Sequence, residues 1–441
     1  MNFDHSPRAQ ALLHALEAFM QRYLLPHNAA WHRSVHDGVY PPPFLQDLKA
    51  LAREEGLWNL FLPSLKPDEP GTALSHLDYA PLAEAMGRLP WAAEVFNCSA
   101  PDTGNMELLH RFATPAQRTQ WLRPLLDGQI RSAFAMSEPD VASSDPTNLQ
   151  TLVRREGNDL VLNGRKWFIT GAAHPHCRVL IVMCRNDEPH DDAPAADPGS
   201  NGDNGHGRHH QHSIVLVPMD TPGVQVMRNI PVMHHTAPEE HCEILLRNVR
   251  VPADALLGGW GEGFAMAQAR LGPGRVHHCM RTIGQCELAL ELASERTLER
   301  QAFGKYLSDY ANVQDWIAES RIEIDQARLL VLHAAWLLDQ GSADVAVLRT
   351  QVAAIKVVAA RLQTRVVDRA MQAFGAMGLS PDTPLAYFWS WGRALHLMDG
   401  PDEVHLRTVA RQELARAQQR MGSSAAYFTT PEQLQAPVRL R

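Results

Sequence analysis

The chain has 441 residues, of which 45% are hydrophobic and 20% charged, and its formal net charge is -8. This composition is too apolar for a disordered protein and too charged for a bundle of membrane helices. No run of Lys or Arg suggests a nucleic-acid surface, and no stretch of about 18 apolar residues could span a membrane. At this length we expect two or three structural units around a large shared interior.

The six cysteines show no CxxC pair and no spacing with His that would build a zinc site. We therefore predict free thiols in a reducing compartment. The N-terminal residues lack the basic start and the continuous apolar stretch of a secretory signal, so the cytoplasm is the expected location.

The first predicted unit, residues 1–130, is helical. Apolar residues recur at helical spacing in Leu12–Phe19 and again in Phe44–Leu51, and Pro and Gly fall between these stripes.

The second predicted unit, residues 131–255, is a small, β-barrel-like sheet domain. Short runs rich in Val, Ile and Leu predict strands at 160–170, 178–184, 214–218 and 243–251. Within the first run, Asn163 and Gly164 both tolerate the positive φ that a tight hairpin turn requires.

A segment at about 186–213 contains no large apolar residue, so we predict a disordered loop inside this domain. Its histidines could bind a transition metal, but no carboxylate or Cys is fixed at ligand spacing, and we predict no metal site. These histidines are His206, His209, His210 and His212.

The third predicted unit, residues 256–420, is a C-terminal four-helix bundle, followed by a tail at 421–441. Long helical stripes such as Val345–Val366 imply antiparallel helices joined by short turns. The predicted fold is therefore mainly α with a central β domain.

Two polar segments stand out in the sheet domain. Residues 134–148, FAMSEPDVASSDPTN, are dense in hydroxyl, carboxylate and amide groups, although an ordinary capped turn would explain them equally well. Residues 166–172, KWFITGA, end a strand with an aromatic ring and a hydroxyl, which together suit one planar ligand.

These segments resemble the acyl-CoA dehydrogenase family, together with ERQAFGK (299–305), MQAFGAMG (371–378) and LMDGPDEVHLR (397–407). The motifs occur in the family's order and span almost the whole chain. DVASSD, GPGR and DGPDEVH are similar to the branch of large acyl-CoA dehydrogenases fused to kinase-like modules.

The resemblance implies FAD as the cofactor. It implies that residues 134–144 lie along the flavin ring, that Phe168 packs against the ring, and that Arg300 and Phe303 reach the cofactor from a neighbouring subunit. A homodimer or homotetramer is therefore expected. The full implied cofactor set is Phe134, Met136, Ser137, Ser143, Ser144, Phe168, Ile169, Thr170, Arg300, Phe303, Gln372, Gly375, Ala376, Pro401 and Glu403.

Simpler interpretations of some of these residues remain open. Phe168 could be ordinary core packing, Arg300 could form a surface ion pair, and Gln372 with its glycines could be a turn between helices. Pro401 replaces the usual Thr after the acid-Gly pair, which removes a hydroxyl and an N–H near the flavin.

A carboxylate must remove the proton beside the thioester carbonyl, in a dry pocket that faces the flavin. Asp399 follows an apolar helix and precedes a Pro and acids typical of a helix start, so it lies in a short break between two helices. It could be a capping acid, but the resemblance places the catalytic base here, more often as Glu than Asp.

The resemblance also places Arg275 beside the base, and we expect the helix to break at Leu271–Gly274. We expect a substrate-binding set of Ser144, Gly272, Pro273, Gly274, Arg275 and Gly400. The main-chain N–H of Asp399 is implied as a donor to the thioester carbonyl.

The implied activity is α,β-dehydrogenation of an acyl-CoA to a trans-2-enoyl-CoA in fatty acid β-oxidation, with an electron-transferring flavoprotein as acceptor. Two alternatives remain: a flavin oxidase or monooxygenase on the same fold, and a catalytically silent FAD-binding assembly protein. The acyl chain cannot be assigned from the sequence.

Overall fold

In the computed structural model, the described residues are 4–187, 210–234, 241–341 and 345–430. The N-terminal part is helical, as predicted. Ser6 caps the first helix by accepting a hydrogen bond from the Ala9 N–H, and Ser75 caps the fourth in the same way from Asp78. The helices are α1 (Pro7–Phe19), α2 (Leu25–His36), α3 (Leu45–Glu54), α4 (His76–Gly87), α5 (Ala92–Val95), α6 (Asp102–Phe112), α7 (Pro115–Gln117) and α8 (Arg123–Leu126), with π-helical turns at Met20–Leu24 and Arg118–Leu122.

The central part is an eight-stranded mixed sheet, so the prediction of a β unit between two helical parts is confirmed. Its strands are β1 (Arg131–Ala135), β2 (Leu152–Glu156), β3 (Asp159–Ile169), β4 (Cys177–Asn186), β5 (His212–Pro218), β6 (Val224–Asn229), β7 (Cys242–Pro252) and β8 (Leu256–Leu257). The order is β6-β7-β3-β2-β4-β5-β8, and β1 pairs in parallel with β4. All four predicted strands occur in the sheet.

The predicted hairpin at Asn163–Gly164 is wrong. Strand β3 runs through both residues and pairs with β7 on either side of them, and the turn lies earlier, at Gly157–Asn158. A Cβ on Gly164 would lie 2.4 Å from the Thr151 hydroxyl oxygen. The glycine is therefore needed for a close approach between strands, which the sequence pattern does not distinguish from a turn.

Most of the predicted disordered loop, residues 188–209, lies outside the described residues, and with it His206 and His209. The ends of that segment are strand rather than loop. Asn186 is the last residue of β4, and His212 is buried in β5 opposite Arg185. Both strands are buried along most of their length, and the sheet extends further than composition alone suggested.

The C-terminal part is a bundle of long helices, as predicted. These are α9 (Gly263–Glu299), α10 (Ala311–Asp339), α11 (Val345–Phe374), α12 (Leu385–Leu395) and α13 (Asp402–Gln419), with a small hairpin of β9 (Gln301–Ala302) and β10 (Lys305–Tyr306) after α9. Buried residues of α9, α10 and α11 form one apolar cluster, and their other faces join the core of the N-terminal helices. The predicted boundaries at 130, 255 and 420 remain a proposal.

The expected break at Leu271–Gly274 is also wrong, because α9 is continuous from Gly263 to Glu299 with Pro273 inside it. A proline removes one main-chain hydrogen bond and usually costs about 3 kcal/mol in a helix interior. Buried apolar residues on either side, including Leu271 and Val276, hold the helix against the rest of the protein. Tertiary packing therefore outweighs the local preference.

Helices α4 and α9 cross at two glycines. A Cβ on Gly87 would lie 2.1 Å from the Arg281 carbonyl oxygen, and a Cβ on Gly284 would lie 1.8 Å from the Glu84 carbonyl oxygen. Each backbone thus fits against a glycine of the other helix. This crossing, Gly87 with Gly284, fixes the N-terminal helices on α9.

All six cysteines are buried free thiols, as predicted. Within the described residues, no helix is both long and apolar enough to cross a bilayer, and no cluster of His, Cys, Asp and Glu has the arrangement of a metal site.

Candidate active site

Asp399 lies where the sequence predicts it, in the turn between α12 and α13. Its φ is 53°, in the left-handed region that few residues other than Gly, Asn and Asp adopt. Gly400 follows with φ 103°, and a Cβ there would lie 2.9 Å from His405 Nε2. The left-handed backbone of the turn therefore favours this Asp-Gly pair.

The main chain of Asp399 is held by two side chains. Arg275 Nε donates to the Asp399 carbonyl oxygen at 2.9 Å, and His405 Nε2 lies 3.2 Å from the same oxygen. Arg275 comes from α9 and His405 from α13, so two helices fix the position of the turn. The predicted neighbourhood of Arg275 and the acid is present, although the guanidinium contacts the backbone of Asp399.

The carboxylate of Asp399 lies among three cations and a histidine. Burial raises the pKa of this carboxyl, but the nearby His278, Arg275, Lys356 and Arg270 outweigh it and lower the pKa below the usual value. Lys356 is fully buried on α11 and donates to the Leu395 carbonyl. Asp399 is therefore a carboxylate at neutral pH, the form that a general base requires.

The Asp399 side chain, 26% exposed, opens into a cavity between α6 and α9. One wall comes from the start of α6 and the residues before it, and the other from one face of α9. The lining residues are Ala100, Pro101, Thr103, Gly104, Arg270, Leu271, Gly274, His278, Arg281 and Asp399. Gly274 of the expected substrate-binding set thus lines the cavity, whereas Gly272 and Pro273 are not among these residues.

Arg270 occupies the wall opposite Asp399. Its Nε donates to Asn105 Oδ1 at 2.8 Å, and its guanidinium lies 4.2 Å from the centre of the Phe134 ring. Burial lowers the pKa of Arg270 to about 10, although Asp399 and Glu107 raise it. Phe134, predicted to face the cofactor, is thus half-buried in β1 with this cation over its ring.

Glu107 is a second carboxyl close to Arg270, and it lies on α6 one turn after Thr103. Its Oε1 is buried and has no hydrogen-bond partner within the described ranges. Burial raises the pKa of Glu107 to about 8, and only Arg270 opposes this change. The sequence analysis missed Arg270, His278 and Glu107.

Helical spacing in the sequence could have indicated two of these residues, Arg270 and His278. Arg270, Gly274 and His278 are spaced four residues apart and share one face of α9, and Arg281 follows three residues later. The expected break at Leu271–Gly274 hid this spacing.

The polar loop after β1 is fixed from behind by a buried ion pair. Lys166 Nζ donates to Glu138 Oε1 at 2.9 Å and to the carbonyls of Met136 and Met183 at 2.8 and 2.7 Å. The same carboxylate accepts the Gln150 and Thr151 N–H groups at 2.7 and 2.9 Å. Both side chains are nearly inaccessible, and together they hold residues 136–151 against β3 and β4.

This loop lies beside the aromatic end of β3. The Trp167 N–H donates to the Ser137 carbonyl at 3.0 Å, so Met136 and Ser137 adjoin Phe168. Phe168 is 43% exposed and has a left-handed backbone with φ 52°, while Ile169 after it is buried. An exposed aromatic ring on a strained backbone is a feature that folding alone does not favour.

Thr170 and the serines of the loop have partners within the chain. The Thr170 hydroxyl lies 2.9 Å from His241 Nδ1, and burial lowers the pKa of His241 to about 4, so this ring is neutral. The Ser143 hydroxyl bonds the main chain of Glu138, whereas Ser144 is exposed.

The remaining predicted cofactor residues lie at one end of the bundle. Phe303 is 99% exposed in the turn between β9 and β10, and Arg300 just before it is also exposed. The Arg296 guanidinium, one turn before Arg300, lies 5.4 Å from the centre of the Phe374 ring. Exposed Gln372, Gly375 and Ala376 therefore adjoin the same end, while half-buried Pro401 and exposed Glu403 lie beside Asp399.

Comparison with known proteins is consistent with this geometry. Family models for the N-terminal, middle and C-terminal domains of acyl-CoA dehydrogenases match residues 6–129, 133–249 and 261–414. The chain is 54% identical over 376 residues to the Mycobacterium tuberculosis protein named "Probable acyl-CoA dehydrogenase FadE2", covering 85% of this chain and 86% of that protein.

Two animal relatives are longer than this chain. Acyl-CoA dehydrogenase family member 10 of Mus musculus is 46% identical over 95% of this chain and 38% of its own length. Family member 11 of Homo sapiens is 44% identical over 93% of this chain and 51% of its own length.

Solved structures agree on the fold. A Mycobacterium abscessus structure described as an acyl-CoA dehydrogenase has 48% identity and a TM-score of 0.85, covering 94% of this chain and 99% of that one. Butyryl-CoA dehydrogenase from Megasphaera elsdenii has 24% identity and a TM-score of 0.76 over 94% of this chain and 100% of that one, a likeness of fold alone.

Proposed function

Because the chain belongs to the acyl-CoA dehydrogenase family, we propose that it dehydrogenates an acyl-CoA thioester to the trans-2-enoyl-CoA with Asp399 as the base. The family consists of FAD enzymes, and the chain is an FAD-dependent oxidoreductase acting on CH–CH groups. The predicted likeness to the branch of large, kinase-fused members fits the matches to family members 10 and 11. The observation that carries the proposal is a carboxylate at the mouth of a cavity between α6 and α9.

In this reaction the Asp399 carboxylate removes a proton from the carbon beside the thioester carbonyl. The Cα–H bond breaks, an O–H bond forms on Asp399, and the electron pair becomes the new double bond as hydride leaves the next carbon. When bound, FAD supplies the hydride acceptor. The main-chain N–H of Asp399 polarises the carbonyl, and Arg275 and His405 keep that main chain in place.

The low pKa of Asp399 before substrate binds and the rise of this pKa on binding both suit the role of a base. Around the cavity, the cations favour the carboxylate. A thioester that displaces water from the cavity removes solvent from the carboxylate, which raises its pKa and strengthens it as a base.

The residues of the polar loop and of β3 fit a flavin. Met136, Ser137 and Phe168 form one surface, and an exposed, strained Phe168 is explained by a planar group against its ring. Phe134, Ser143, Ser144, Ile169, Thr170, Pro401 and Glu403 complete the proposed set around the ring.

A second copy of the chain completes the cofactor site in this proposal. Arg300, Phe303, Gln372, Gly375 and Ala376 are exposed at one end of the bundle, where a neighbouring subunit could present them to FAD. A neighbouring subunit that covers the exposed Phe303 ring would remove its apolar area from water. The proposed assembly is a homodimer or homotetramer.

Replacement of Phe303 tests the shared site. Phe303→Ala should weaken FAD binding without lowering the stability of the monomer fold, because the ring has almost no contacts within its own chain. Phe428→Ala, which also removes an exposed ring, is the matched control. FAD affinity measured by flavin fluorescence should fall by about tenfold in the first variant only; equal affinities would count against the shared site.

An electron-transferring flavoprotein is the proposed acceptor, the cytoplasm the proposed location, and fatty acid β-oxidation the proposed process. The substrate-binding proposal keeps Ser144, Gly272, Pro273, Gly274, Arg275 and Gly400, of which Gly274 lines the cavity. Several polar side chains line the same cavity, so hydroxylated and branched acyl groups belong in any substrate panel.

The decisive experiment is anaerobic addition of acyl-CoA thioesters to the FAD-loaded protein. Bleaching of the flavin absorbance by a straight, branched or hydroxylated thioester supports the proposal, and a panel without any bleaching refutes it. Rapid reoxidation by oxygen with acyl-CoA bound would favour the oxidase alternative.

Asp399→Asn tests the base. The variant should retain FAD but reduce it at least about 10³-fold more slowly, because the amide cannot accept the proton. Asp382→Asn, an exposed carboxylate in the turn before α12, is the matched control and should reduce flavin normally. Normal reduction by Asp399→Asn would place the base elsewhere.

A further inference from the structure

Asp399 has a shorter side chain than the more usual Glu, so its carboxylate needs a fixed orientation to reach a substrate carbon. The strong donors Arg275 and His405 both bind its main-chain carbonyl, which leaves the carboxylate itself free to rotate. Among the described residues, the side chain that contacts this carboxylate is His278, whose Nε2 lies 3.5 Å from Asp399 Oδ2.

His278 is held on its other side by Arg281. The Arg281 Nη2 atom lies 3.3 Å from His278 Nδ1. A guanidinium can only donate, so Nδ1 must accept, and the single proton of a neutral imidazole is then on Nε2. The N–H of His278 therefore points at the carboxylate of Asp399.

The imidazole is neutral at physiological pH. Burial lowers the pKa of His278 to about 4, and Arg281 lowers it further, although Asp399 opposes this change. If the ring transferred a proton to Asp399, the protonated carboxyl could not accept the substrate proton. A neutral imidazole donor avoids this transfer.

We propose that His278 is a positioning residue that holds Asp399 Oδ2 through its Nε2–H, so that Oδ1 faces the cavity and takes the substrate proton. Arg281 fixes the tautomer of His278, and the three residues act in line: Arg281, His278 and Asp399. The 3.5 Å separation closes to a hydrogen bond by a small rotation of either side chain when a thioester fills the cavity. The inference rests on the proposed dehydrogenation, since it assigns a role in that reaction.

The position of these residues on the helix supports the assignment. His278 is four residues after Gly274 and three before Arg281, so all three lie on the face of α9 that lines the cavity. The neighbouring His277 is fully buried among aromatic rings, including Tyr79 and Phe61, and does not line the cavity. Two adjacent histidines on one helix thus offer an internal comparison.

The groups that determine the ionisation of Asp399 come from three helices. They are Arg270, Arg275 and His278 on α9, Lys356 on α11 and His405 on α13, with Arg281 behind His278. A neutral His278 carries no charge, so it favours the ionised Asp399 carboxyl through its Nε2–H. Its removal therefore raises the pKa of Asp399 while every fixed cation remains.

The test compares His278→Leu with His278→Gln. Leu fills the space without a donor, whereas the Gln amide presents an N–H near the original Nε2 position. His277→Leu is the matched control, because it removes a histidine from the same helix without touching the cavity. FAD content and thermal unfolding confirm that each variant is folded.

In His278→Leu, the rate of anaerobic flavin reduction should fall by ~100-fold. The Kd for acyl-CoA should stay near that of the unaltered protein, and the acid limb of the rate profile should move to higher pH. His278→Gln should recover most of the rate, and His277→Leu should leave the rate and profile unchanged. A His278→Leu variant with the original rate and acid limb overturns the proposal, as does a His278→Gln variant as slow as His278→Leu.

A measurement without turnover separates this inference from the proposed function. Infrared difference titration against Asp399→Asn reports the ionisation of the Asp399 carboxyl directly, with no substrate present. The carboxyl should protonate at higher pH in His278→Leu than in the unaltered protein, and an unchanged titration overturns the positioning role. If no thioester reduces the flavin, the proposed function fails, and the titration still decides whether His278 controls Asp399.

Discussion

Replacement of Lys166 by Met is the sharpest test of how the polar loop is held. Lys166 uses all three ammonium protons, one on Glu138 Oε1 and two on the carbonyls of Met136 and Met183. Met has a similar length and no charge, so Lys166→Met removes the bonds while it keeps much of the volume.

The expected cost follows from the groups left behind. The Glu138 carboxylate keeps its two N–H donors but loses its cation, and loss of one partner of a buried pair costs ~3–5 kcal/mol. Each unpaired carbonyl adds ~1–3 kcal/mol, and the better burial of Met offsets ~1.5–3 kcal/mol. We expect a net loss of ~2–9.5 kcal/mol in the local stability of residues 136–151.

Hydrogen exchange of peptides that cover this loop measures the loss directly. The Gln150 and Thr151 amides, which donate to Glu138, should exchange at least about 25-fold faster, since each 1.4 kcal/mol is tenfold. FAD affinity should fall with them. Lys66→Met, at an exposed lysine, should change stability by less than ~0.5 kcal/mol. Exchange rates within threefold of the unaltered protein would refute the proposed role of the pair.

Two further predictions concern stability. Gly284→Ala should destabilise the protein by ~1–3 kcal/mol or more in denaturant unfolding, because its Cβ would overlap the Glu84 carbonyl. Gly272→Ala, with open space around it on the same helix, should stabilise the protein by ~0.5–1 kcal/mol. Similar effects of both changes would contradict the close crossing. Burial raises the pKa of Glu107 to about 8. The protonated carboxyl therefore contributes most to stability below the ordinary carboxyl pKa, and this contribution is lost as pH rises towards 8. In that window Glu107→Gln should gain stability relative to the unaltered protein by up to about 1.4 kcal/mol per pH unit. Parallel pH profiles of unfolding for the two proteins would show that Glu107 is not buried as a neutral acid.

The order of helices, sheet and bundle followed from apolar periodicity, because each part buries one face along its whole length. The position of Asp399 between two helices also came from a local pattern, whereas Arg275 beside it was implied by the family resemblance. Both wrong expectations, at Asn163–Gly164 and Leu271–Gly274, arose where Gly or Pro suggested a local break but long-range packing kept the element intact.

Contacts between distant segments account for what the sequence could not reveal. Glu138 and Lys166 meet across 28 residues, and His278 meets Asp399 across 121 positions of chain. Patterns within one element carry no information on such pairs, although the spacing of Arg270, Gly274 and His278 would have shown a polar face once α9 was taken as continuous.

The crossing of Gly87 with Gly284 restricts how a large thioester can enter. Since the two backbones are in contact, α4 cannot slide along α9 or tilt away from it without separating the core on both sides. Arg281, whose carbonyl faces Gly87, is part of that rigid joint. We therefore expect any change in the width of the cavity to come from movement of the segment before α6, around Pro101. Helix α9 and its side chains near Asp399 should stay in place.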